Sequence, residues 1–281
     1  MKINIPVKET IKNRNSVRTY EERKLSVEDK EKLIKYINSL TNPFGEKVNI
    51  HIIEKGINSK GEKLGTYGII KGASTFLGVS VENTELGLEA VGYEFENLIL
   101  YATDMGLGTV WLAVTFNRDG FASAMGIKEN ELFPAISPVG YPAEKKSIKE
   151  SMMRKMMKSD QRKPWDTLFF NNSFSTPLTE EEAGVYKEPL EMLRLAPSAT
   201  NAQPWRVVKE GDAYHFYETH KVSSSEEEKL IKRVDMGIAL SHFHQTALEN
   251  GLLGKFEKLS EQNIKTPKNT NYIISWVGNI N

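Results

Sequence analysis

Two long segments of the chain carry apolar residues at the spacing of a buried helix. In residues 92–108 they recur three and four positions apart, the pattern of one helical face: Phe95, Leu98, Ile99, Ala102 and Met105. Residues 237–254 align on this segment without a gap, and Gly106 then falls on Gly251. Because glycine is the usual residue of a left-handed C-cap, we expect each helix to end at that position.

The segments around these two helices repeat in the same order. Short apolar strand patterns follow the helices at residues 136–140 and 274–278, and two further strand patterns precede each helix. Ahead of those, Ser26 and Thr179 each stand before acidic residues, as at the start of a helix. Each half therefore has the order helix, strand, strand, long helix, strand, which predicts a tandem duplication. Chance matching of generic α+β patterns is the alternative.

A basic stretch at residues 145–163 joins the predicted halves, residues 1–160 and 161–281. It contains eight Lys and Arg residues against one Glu and one Asp. One interpretation is an amphipathic helix for a membrane surface or an anionic ligand. The interpretation that we favour for most of it is a solvated linker whose methionines pack on one half or the other.

Composition and charge exclude several classes of function. The 281 residues include no cysteine, which removes disulfides, cysteine-held metal sites and thiol nucleophiles. Lys and Arg number 37, as do Asp and Glu, so no long-range field attracts nucleic acid or an acidic membrane. There is neither a signal-peptide core nor an apolar run of about 18 residues. We therefore expect a cytoplasmic protein that binds neither nucleic acid nor membrane.

Residues 14–18 form the first of two segments in which core packing does not explain the choice of residues. Arg14, Ser16 and Arg18 alternate, so in an extended backbone two guanidinium groups and a hydroxyl point the same way. Such a cluster suits a phosphate or a polyoxygenated ligand. The structural alternative is an exposed strand, on which alternating arginines are common.

Residues 195–205 are the second such segment. They leave a predicted helix, pass through a turn rich in Pro, Ser, Thr and Asn, and enter a strand at Trp205. A plain connecting loop accounts for Pro197 and Trp205, but not for Ser198, Asn201 and Gln203 together. Loops held between rigid elements often carry binding groups, so we treat this one as a candidate site.

With these motifs the chain resembles the FMN-dependent nitroreductase family. The family's Arg-x-Ser-x-Arg element is similar to residues 14–18, and its Ala-Pro-Ser-x-x-Asn-x-Gln-Pro-Trp element to residues 196–205. Its long central helix, which ends in Gly-Leu-Gly, resembles residues 92–108. The resemblance implies an α+β nitroreductase-like fold, with helices around a central antiparallel sheet in each half.

The two halves depart from the family in complementary ways. The first half has residues 39–45 where the Ala-Pro-Ser element belongs, and the second has residues 165–171 where Arg-x-Ser-x-Arg belongs. Members of the family are intertwined homodimers whose flavins lie at the subunit interface. The resemblance thus implies a single-chain pseudodimer with one composite flavin site between its halves, which would not need to dimerise.

The resemblance also implies which residues hold the flavin. The cofactor-binding residues carried over from the family's motifs are Arg14, Ser16 and Arg18 on the phosphate, ribityl and pyrimidine side, Pro197, Ser198, Ala199 and Asn201 over the isoalloxazine, Val114 and Thr115 with a backbone N–H at N5, and Arg162 and Lys163 at the phosphate. Residues 66–71 are expected near the pyrimidine edge.

The implied activity is that of an FMN oxidoreductase. It would take hydride from NADH or NADPH and reduce a small-molecule acceptor such as a nitroaromatic or a quinone, with no obligatory acid or base residue. A flavin-binding or interaction protein without turnover is the alternative. The five histidines predict no metal site, because His242 and His244 are two positions apart on a helix and face different directions.

Overall fold

A computed structural model describes residues 2–54, 64–144, 161–260 and 264–278, so that most of the predicted linker, residues 145–160, lies outside the described residues. Within the described residues of the first half, the elements follow in this order: α1 Val7–Asn13, α2 Val27–Ile37, β1 Val48–Glu54, β2 Thr75–Glu82, α3 Gly87–Asp104, β3 Gly108–Thr109, α4 Arg118–Met125 and β4 Glu131–Gly140. Its strands form one antiparallel sheet in the order β1-β2-β4-β3.

The second half contains a second sheet. Its elements are β5 Phe169–Asn171, α5 Glu180–Ala183, α6 Lys187–Arg194, β6 Trp205–Glu210, β7 Ala213–Thr219, α7 Glu226–Glu249, β8 Gly254–Glu257 and β9 Thr270–Gly278. The strand order is β5-β6-β7-β9-β8, antiparallel except for the parallel pair β5 and β6. The α+β class with helices around two sheets is confirmed.

The predicted helix starts are confirmed by their caps. The Ser26 hydroxyl accepts a hydrogen bond from the backbone of Asp29 at α2, and Thr179 forms a capping box with Glu182 at α5. The helix that begins after Thr179 is interrupted, because Gly184 adopts a positive φ of 55° and the chain passes through a 3₁₀ turn before α6.

The long helices α3 and α7 cross at two glycines that coincide in the gap-free alignment. A Cβ on Gly92 would lie 2.1 Å from the carbonyl oxygen of Val234, and a Cβ on Gly237 would lie 2.0 Å from that of Glu89. In the alignment Val234 is the counterpart of Glu89, so the two close approaches are equivalent. This reciprocity is what a two-fold relation between the helices requires.

The C-termini of α3 and α7 match as closely. The helices end at Asp104 and Glu249, which are aligned residues, and are followed by Gly106 and Gly251 with φ of 77° and 76°. The predicted left-handed glycine caps are therefore confirmed. One hydrophobic cluster runs through both halves and includes Leu98 and Phe243 from the two helices.

The placement of residues 165–171 differs from the expectation that they replace Arg-x-Ser-x-Arg. Ser16 bridges Thr109 of β3, whereas β5 pairs with β6, which matches β1 at the opposite edge of the first sheet. The physical reason is apolar burial: Leu168 and Phe169 are fully buried within the main core cluster. The expected equivalence is therefore wrong, and this segment extends the second sheet instead.

Candidate functional site

The Arg-x-Ser-x-Arg segment follows α1 and lies between two parts of the first half. The Val17 backbone N–H donates to the carbonyl of Thr109 at 2.9 Å. At the other end of the segment, the Lys71 N–H donates to the Arg18 carbonyl at 2.9 Å. The Tyr20 N–H donates to the Lys71 carbonyl, also at 2.9 Å. The segment is thus held by backbone hydrogen bonds beside residues 66–71, which were expected near the same ligand.

Two glycines make this close approach possible. A Cβ on Gly108 would lie 2.8 Å from the Val17 Cβ, and one on Gly72, whose φ is 82°, would lie 2.1 Å from the Tyr20 carbonyl oxygen. Any larger residue would push the segment away. Val17 is buried, whereas its neighbours Ser16 and Arg18 stay partly exposed, as the alternation of an extended backbone predicts.

Arg14 is nearly buried, with 9% of its side chain exposed, and its Nε lies 3.8 Å from Oε1 of Glu96 on α3. The same carboxylate accepts a hydrogen bond from Trp111 at 2.7 Å and lies 3.0 Å from His242 of α7. Arg14 therefore sits where the two central helices of the halves meet. Sequence reasoning missed Glu96 and His242, although polar residues within two strongly apolar helices were a visible signal.

Residues 113–117 lie beside the segment that follows Leu64. The Asn117 N–H donates to the Gly65 carbonyl at 2.9 Å, and the Arg118 side chain donates to the carbonyl of Ala113 at 2.6 Å. The side chain of Val114 is 62% exposed. Val114 and Thr115 can therefore contribute through the backbone, which is the role that the resemblance implies for them.

The loop after α6 carries the second motif in a strained conformation. Its 3₁₀ turn spans Ala199–Asn201, and Thr200, Asn201 and Gln203 have φ of 52°, 55° and 49°. Positive φ is unfavourable for residues other than glycine, above all for a β-branched one, and such strain concentrates at functional sites. The Ser198 hydroxyl accepts from the Gln203 N–H at 2.9 Å and closes the loop.

Asp235 of α7 fixes this loop on the central helix. Its carboxylate accepts from the Ala199 N–H at 3.0 and 3.2 Å and is 3% exposed. Burial raises the pKa of Asp235 well above its ordinary value, and the hydrogen bond from Ala199 opposes that shift. One signal for Asp235 is visible in the sequence, a carboxylate among apolar neighbours of a helix, whereas its partner Ala199 is not.

Helix packing brings the two motifs to the same region of the molecule. Val7 and Ile11 of α1 form a cluster with Met192 of α6, and Leu195 packs against it. The N-terminus of α1 is also tied to α7, because Glu249 accepts from the Val7 N–H at 2.7 Å. The segment that continues α1 and the loop that continues α6 therefore follow two helices, one in each half, that share this cluster.

Arg162 and Lys163 lie against the same loop. The Lys163 ammonium donates to the carbonyls of Ala202 at 2.7 Å and Gln203 at 3.2 Å, and Arg162 donates to that of Leu195 at 3.0 Å. Burial, and second the nearby Arg206, lower the pKa of Lys163 to about 8. The arrangement gathers cations at one end of the loop; Arg206 was not anticipated from the sequence.

The donor set in these segments fits the FMN that the resemblance implies. Guanidinium groups and hydroxyls suit a phosphate and a ribityl chain. Thr109, which bridges Ser16, has a buried Oγ1 with no hydrogen-bond partner among the described residues, which leaves a polar group for a ligand or water. Across those same residues, no cluster of three or more His, Cys, Asp or Glu could hold a metal ion.

The counterpart of this region in the first half is different. Here a cavity of about 340 Å³ is lined by residues 39–41, which replace Ala-Pro-Ser, and by Asn97 and Tyr101 of α3. Phe44, a few residues further on, packs against Tyr93 and Phe256, with ring centroids 5.7 Å apart in each pair, which are the contacts of a filled core. In the part of the chain described, no helix is long and apolar enough to cross a membrane.

One of the solved structures that are similar to this chain matches it over nearly its whole length. A solved structure of a putative nitroreductase from Thermotoga maritima has a TM-score of 0.61 and 23% identity, covering 99% of this chain and 95% of that one. This likeness shows that the fold extends over both halves.

Shorter relatives match about half of the chain. A putative NADH dehydrogenase/NAD(P)H nitroreductase from Archaeoglobus fulgidus is 27% identical over 154 residues, which are 50% of this chain and 88% of the relative. A nitroreductase with bound FMN from Bacteroides fragilis covers 52% of this chain and 92% of its own, at 20% identity and a TM-score of 0.42. The family model described as "Putative TM nitroreductase" matches residues 6–247, most of the chain. The chain therefore belongs to that nitroreductase family.

Proposed function

We propose that the protein is an FMN-dependent oxidoreductase that takes hydride from NADH or NADPH and reduces a nitroaromatic, a quinone or a similar small acceptor. The observation that carries this proposal is that the helices leading into the two motifs, one in each half, share a hydrophobic cluster. The Arg-x-Ser-x-Arg segment continues α1, the Ala-Pro-Ser loop continues α6, and Val7 and Ile11 of α1 belong to the same cluster as Met192 of α6. Membership of the nitroreductase family supports the same conclusion.

Within this proposal each segment has its own role. Arg14, Ser16 and Arg18 would hold the phosphate, ribityl and pyrimidine side, and Arg162 and Lys163 would add positive charge at the phosphate. Pro197, Ser198, Ala199 and Asn201 would cover the ring, while a backbone N–H near Val114 or Thr115 would face N5. The strained loop suits a covering role, because Ser198 and Asp235 fix it before any ligand arrives.

When bound, FMN supplies the chemistry, which is hydride transfer from the nicotinamide and onward reduction of the acceptor. The protein's part is to orient the ring and to stabilise the negative charge that reduction brings. A guanidinium at Arg18, held beside residues 66–71 by its backbone, is suited to the second task.

We further propose that the chain is a pseudodimer of two nitroreductase-like halves, residues 1–160 and 161–281, with one flavin site. The reciprocal glycine contacts of α3 and α7 support this. The Archaeoglobus fulgidus relative supports it as well, because 50% of this chain matches 88% of that protein's length. The counterpart region supports a single site, because residues 39–41 read Ser-Leu-Thr in place of Ala-Pro-Ser and the following Phe44 packs against Tyr93.

Anaerobic reduction of the purified protein tests the proposed activity. We expect yellow protein after incubation with FMN, bleaching when NADH or NADPH is added, and recovery of colour when a nitroaromatic or a quinone follows. Protein that stays colourless with FMN would falsify the flavin proposal. Yellow protein that neither nicotinamide bleaches would instead favour the alternative, a flavin-binding protein without turnover.

A further inference from the structure

Residues 113–117, the segment proposed to face flavin N5, are held by backbone hydrogen bonds on both sides. Before the segment, Leu112 exchanges two hydrogen bonds with Ile136 of β4, at 2.9 and 3.0 Å. At its end, the Asn117 N–H donates to the Gly65 carbonyl at 2.9 Å. Between these points the chain bends at four successive residues and belongs to no helix or strand, so its shape depends on side-chain contacts.

The side chain of Arg118, the first residue of α4, provides such contacts. Its Nη2 donates to the carbonyl of Ala113 at 2.6 Å, and its Nη1 donates to the carbonyl of Phe133 in β4. The guanidinium carbon also lies 5.1 Å from the centre of the Phe116 ring. Because the planar guanidinium carries several N–H groups in a fixed geometry, Arg118 can bind both carbonyls at once and link the segment to the sheet.

An irregularity in β4 lies where Arg118 binds the strand. The pairing of β2 with β4 shifts in register between Val79 and Val81, opposite Phe133 and Pro134. Proline has no N–H for the ladder and within a sheet is typical of such places. The Phe133 carbonyl at this irregularity accepts a hydrogen bond from a side chain, that of Arg118.

The ion pair of Arg118 with the second half does not explain where its guanidinium lies. Arg118 Nη2 is 3.8 Å from Oε1 of Glu227 on α7, and the two side chains are 38% and 65% exposed. Ion pairs between side chains this exposed stabilise little. The two carbonyls are therefore the contacts that define the position of the guanidinium.

The hydrogen bond to Ala113 also sets the direction of the next N–H. The Ala113 carbonyl and the Val114 N–H belong to one trans peptide plane, in which they point in opposite directions. The Val114 N–H therefore points away from the guanidinium, at an exposed residue. Among the described residues this N–H donates to no acceptor, which leaves it available to a ligand or to water.

We propose that Arg118 is a positioning residue for hydride transfer: by binding the carbonyl of Ala113 it directs the Val114 N–H to flavin N5. This inference rests on the proposed function, since it concerns the same FMN site. A donor at N5 favours the arrival of hydride, because it withdraws electron density from the accepting atom. A donor that is fixed in advance does this better than one that must be ordered during the reaction.

Variants at Arg118 test this role, with Arg23 as the matched control. Arg118→Met keeps the apolar stem of the side chain and removes its hydrogen bonds to both carbonyls. Arg23→Met removes another guanidinium that lies over an aromatic ring, 3.4 Å from the centre of Tyr141, but outside this segment. Three quantities are measured: the dissociation constant for FMN, the limiting rate of flavin reduction by NADH or NADPH, and the ¹⁵N signal of FMN labelled at N5.

We expect Arg118→Met to lower the limiting rate of reduction by about tenfold, the size of one weakened hydrogen bond. The dissociation constant for FMN should change by less than about threefold, since the phosphate contacts lie on other residues. The N5 signal should shift from its wild-type position, because it reports the hydrogen bond that N5 accepts. Arg118→Lys should fall between the two, since an ammonium lacks the planar fork. Arg23→Met should match the wild type in all three quantities.

An unchanged N5 signal in Arg118→Met, or equal losses of rate and FMN affinity, would overturn the inference. If this variant does not fold, Arg118→Lys carries the same test. Amide order parameters of the flavin-free protein give an independent reading: the Val114 N–H should be more mobile in the variant, and an unchanged value would contradict the positioning role. Wild-type protein that binds no FMN would overturn the proposed function, whereas bound FMN whose N5 signal does not respond to Arg118 would overturn this inference alone.

Discussion

At the scale of single residues, the arginines of the first motif differ in their surroundings. Arg14 contacts the buried Glu96, whereas Arg18 lies on a segment whose backbone is fixed by Lys71. The substitution Arg14→Ala would leave Glu96 and His242 buried without their neighbour, so that a loss of affinity would mix binding with folding. Arg18 is therefore the better position at which to test the pyrimidine side.

We expect Arg18→Ala to weaken FMN binding by about tenfold, the size of a lost hydrogen bond to a charged group, and to lower the reduction potential of the bound flavin. The reason is that a cation near the ring favours the more negative reduced form. Equilibrium titration with FMN and a dye-coupled potential measurement check both effects. Arg23→Ala removes a more exposed arginine and serves as the control; no change at Arg18 in either quantity would remove it from the site.

Glu94 makes stability depend on pH in a way that one substitution isolates. Burial raises the pKa of Glu94 from 4.5 to about 7, against the hydrogen bond from Asn42. The folded state binds the Glu94 proton more tightly than the unfolded state does, so this proton stabilises the fold. The stabilisation is complete below pH 4.5 and is lost as the pH rises through 7. Between pH 4.5 and pH 7, the free energy of unfolding of the neutral variant Glu94→Gln should therefore rise relative to that of the wild type. The rise should reach up to about 3 kcal/mol.

Urea unfolding at several pH values between 4.5 and 8 measures this difference. The contribution of other buried groups, such as His244, cancels because both proteins contain them. The exposed Glu22→Gln serves as the control and should follow the wild type. A constant difference between Glu94→Gln and the wild type across this range would show that Glu94 keeps its ordinary ionisation in the fold.

At the scale of elements, the periodicity of the sequence predicted those features of the fold that depend on the spacing of residues along the chain. The helical stripes, the Ser26 and Thr179 caps and the glycine ends all follow from residues that are neighbours along the chain. What could not be predicted depends on which segments meet in space. Asp235 finds Ala199, and Arg206 comes close to Lys163, only because the fold brings distant segments together. The edge that β5 joins was missed for the same reason.

The crossing of α3 and α7 depends on glycine in both helices. Gly237→Ala would place a Cβ 2.0 Å from the carbonyl oxygen of Glu89, which is backbone and cannot rotate away. We expect a loss of about 3 kcal/mol or more in the free energy of unfolding, since the helices must separate. Gly106→Ala, with a φ of 77° but open space around its Cβ, should cost only about 1–2 kcal/mol.

Denaturant unfolding of the two variants compares steric contact with backbone strain for the same chemical change. Equal losses would mean that the helices can separate at little cost and that the close crossing is not needed for stability. Gly92→Ala should behave like Gly237→Ala, because the two contacts are reciprocal.

At the scale of the whole molecule, the fold combines near-symmetry in its frame with asymmetry in its candidate site. The crossing glycines and the helix ends of α3 and α7 are equivalent in both halves. The polar pairs beside them are not, since Glu96 with His242 stands opposite Asn97 with Ser241. A homodimer could not make this difference, because a change in one subunit would appear in both. A single chain allows one side to keep cofactor-binding residues while the other is filled.

This asymmetry predicts one FMN per chain, on a chain that needs no partner to bind it. Residues 39–41 carry no counterpart of the Ala-Pro-Ser element, and the Phe44 ring that follows them packs against Tyr93 and Phe256. The measurement is the ratio of bound flavin absorbance to protein in fractions of known mass from size-exclusion chromatography with light scattering. We expect a ratio of one in a monomer. Two flavins per chain, or flavin found only in a dimer fraction, would contradict a single site that is shared between the two halves of one chain.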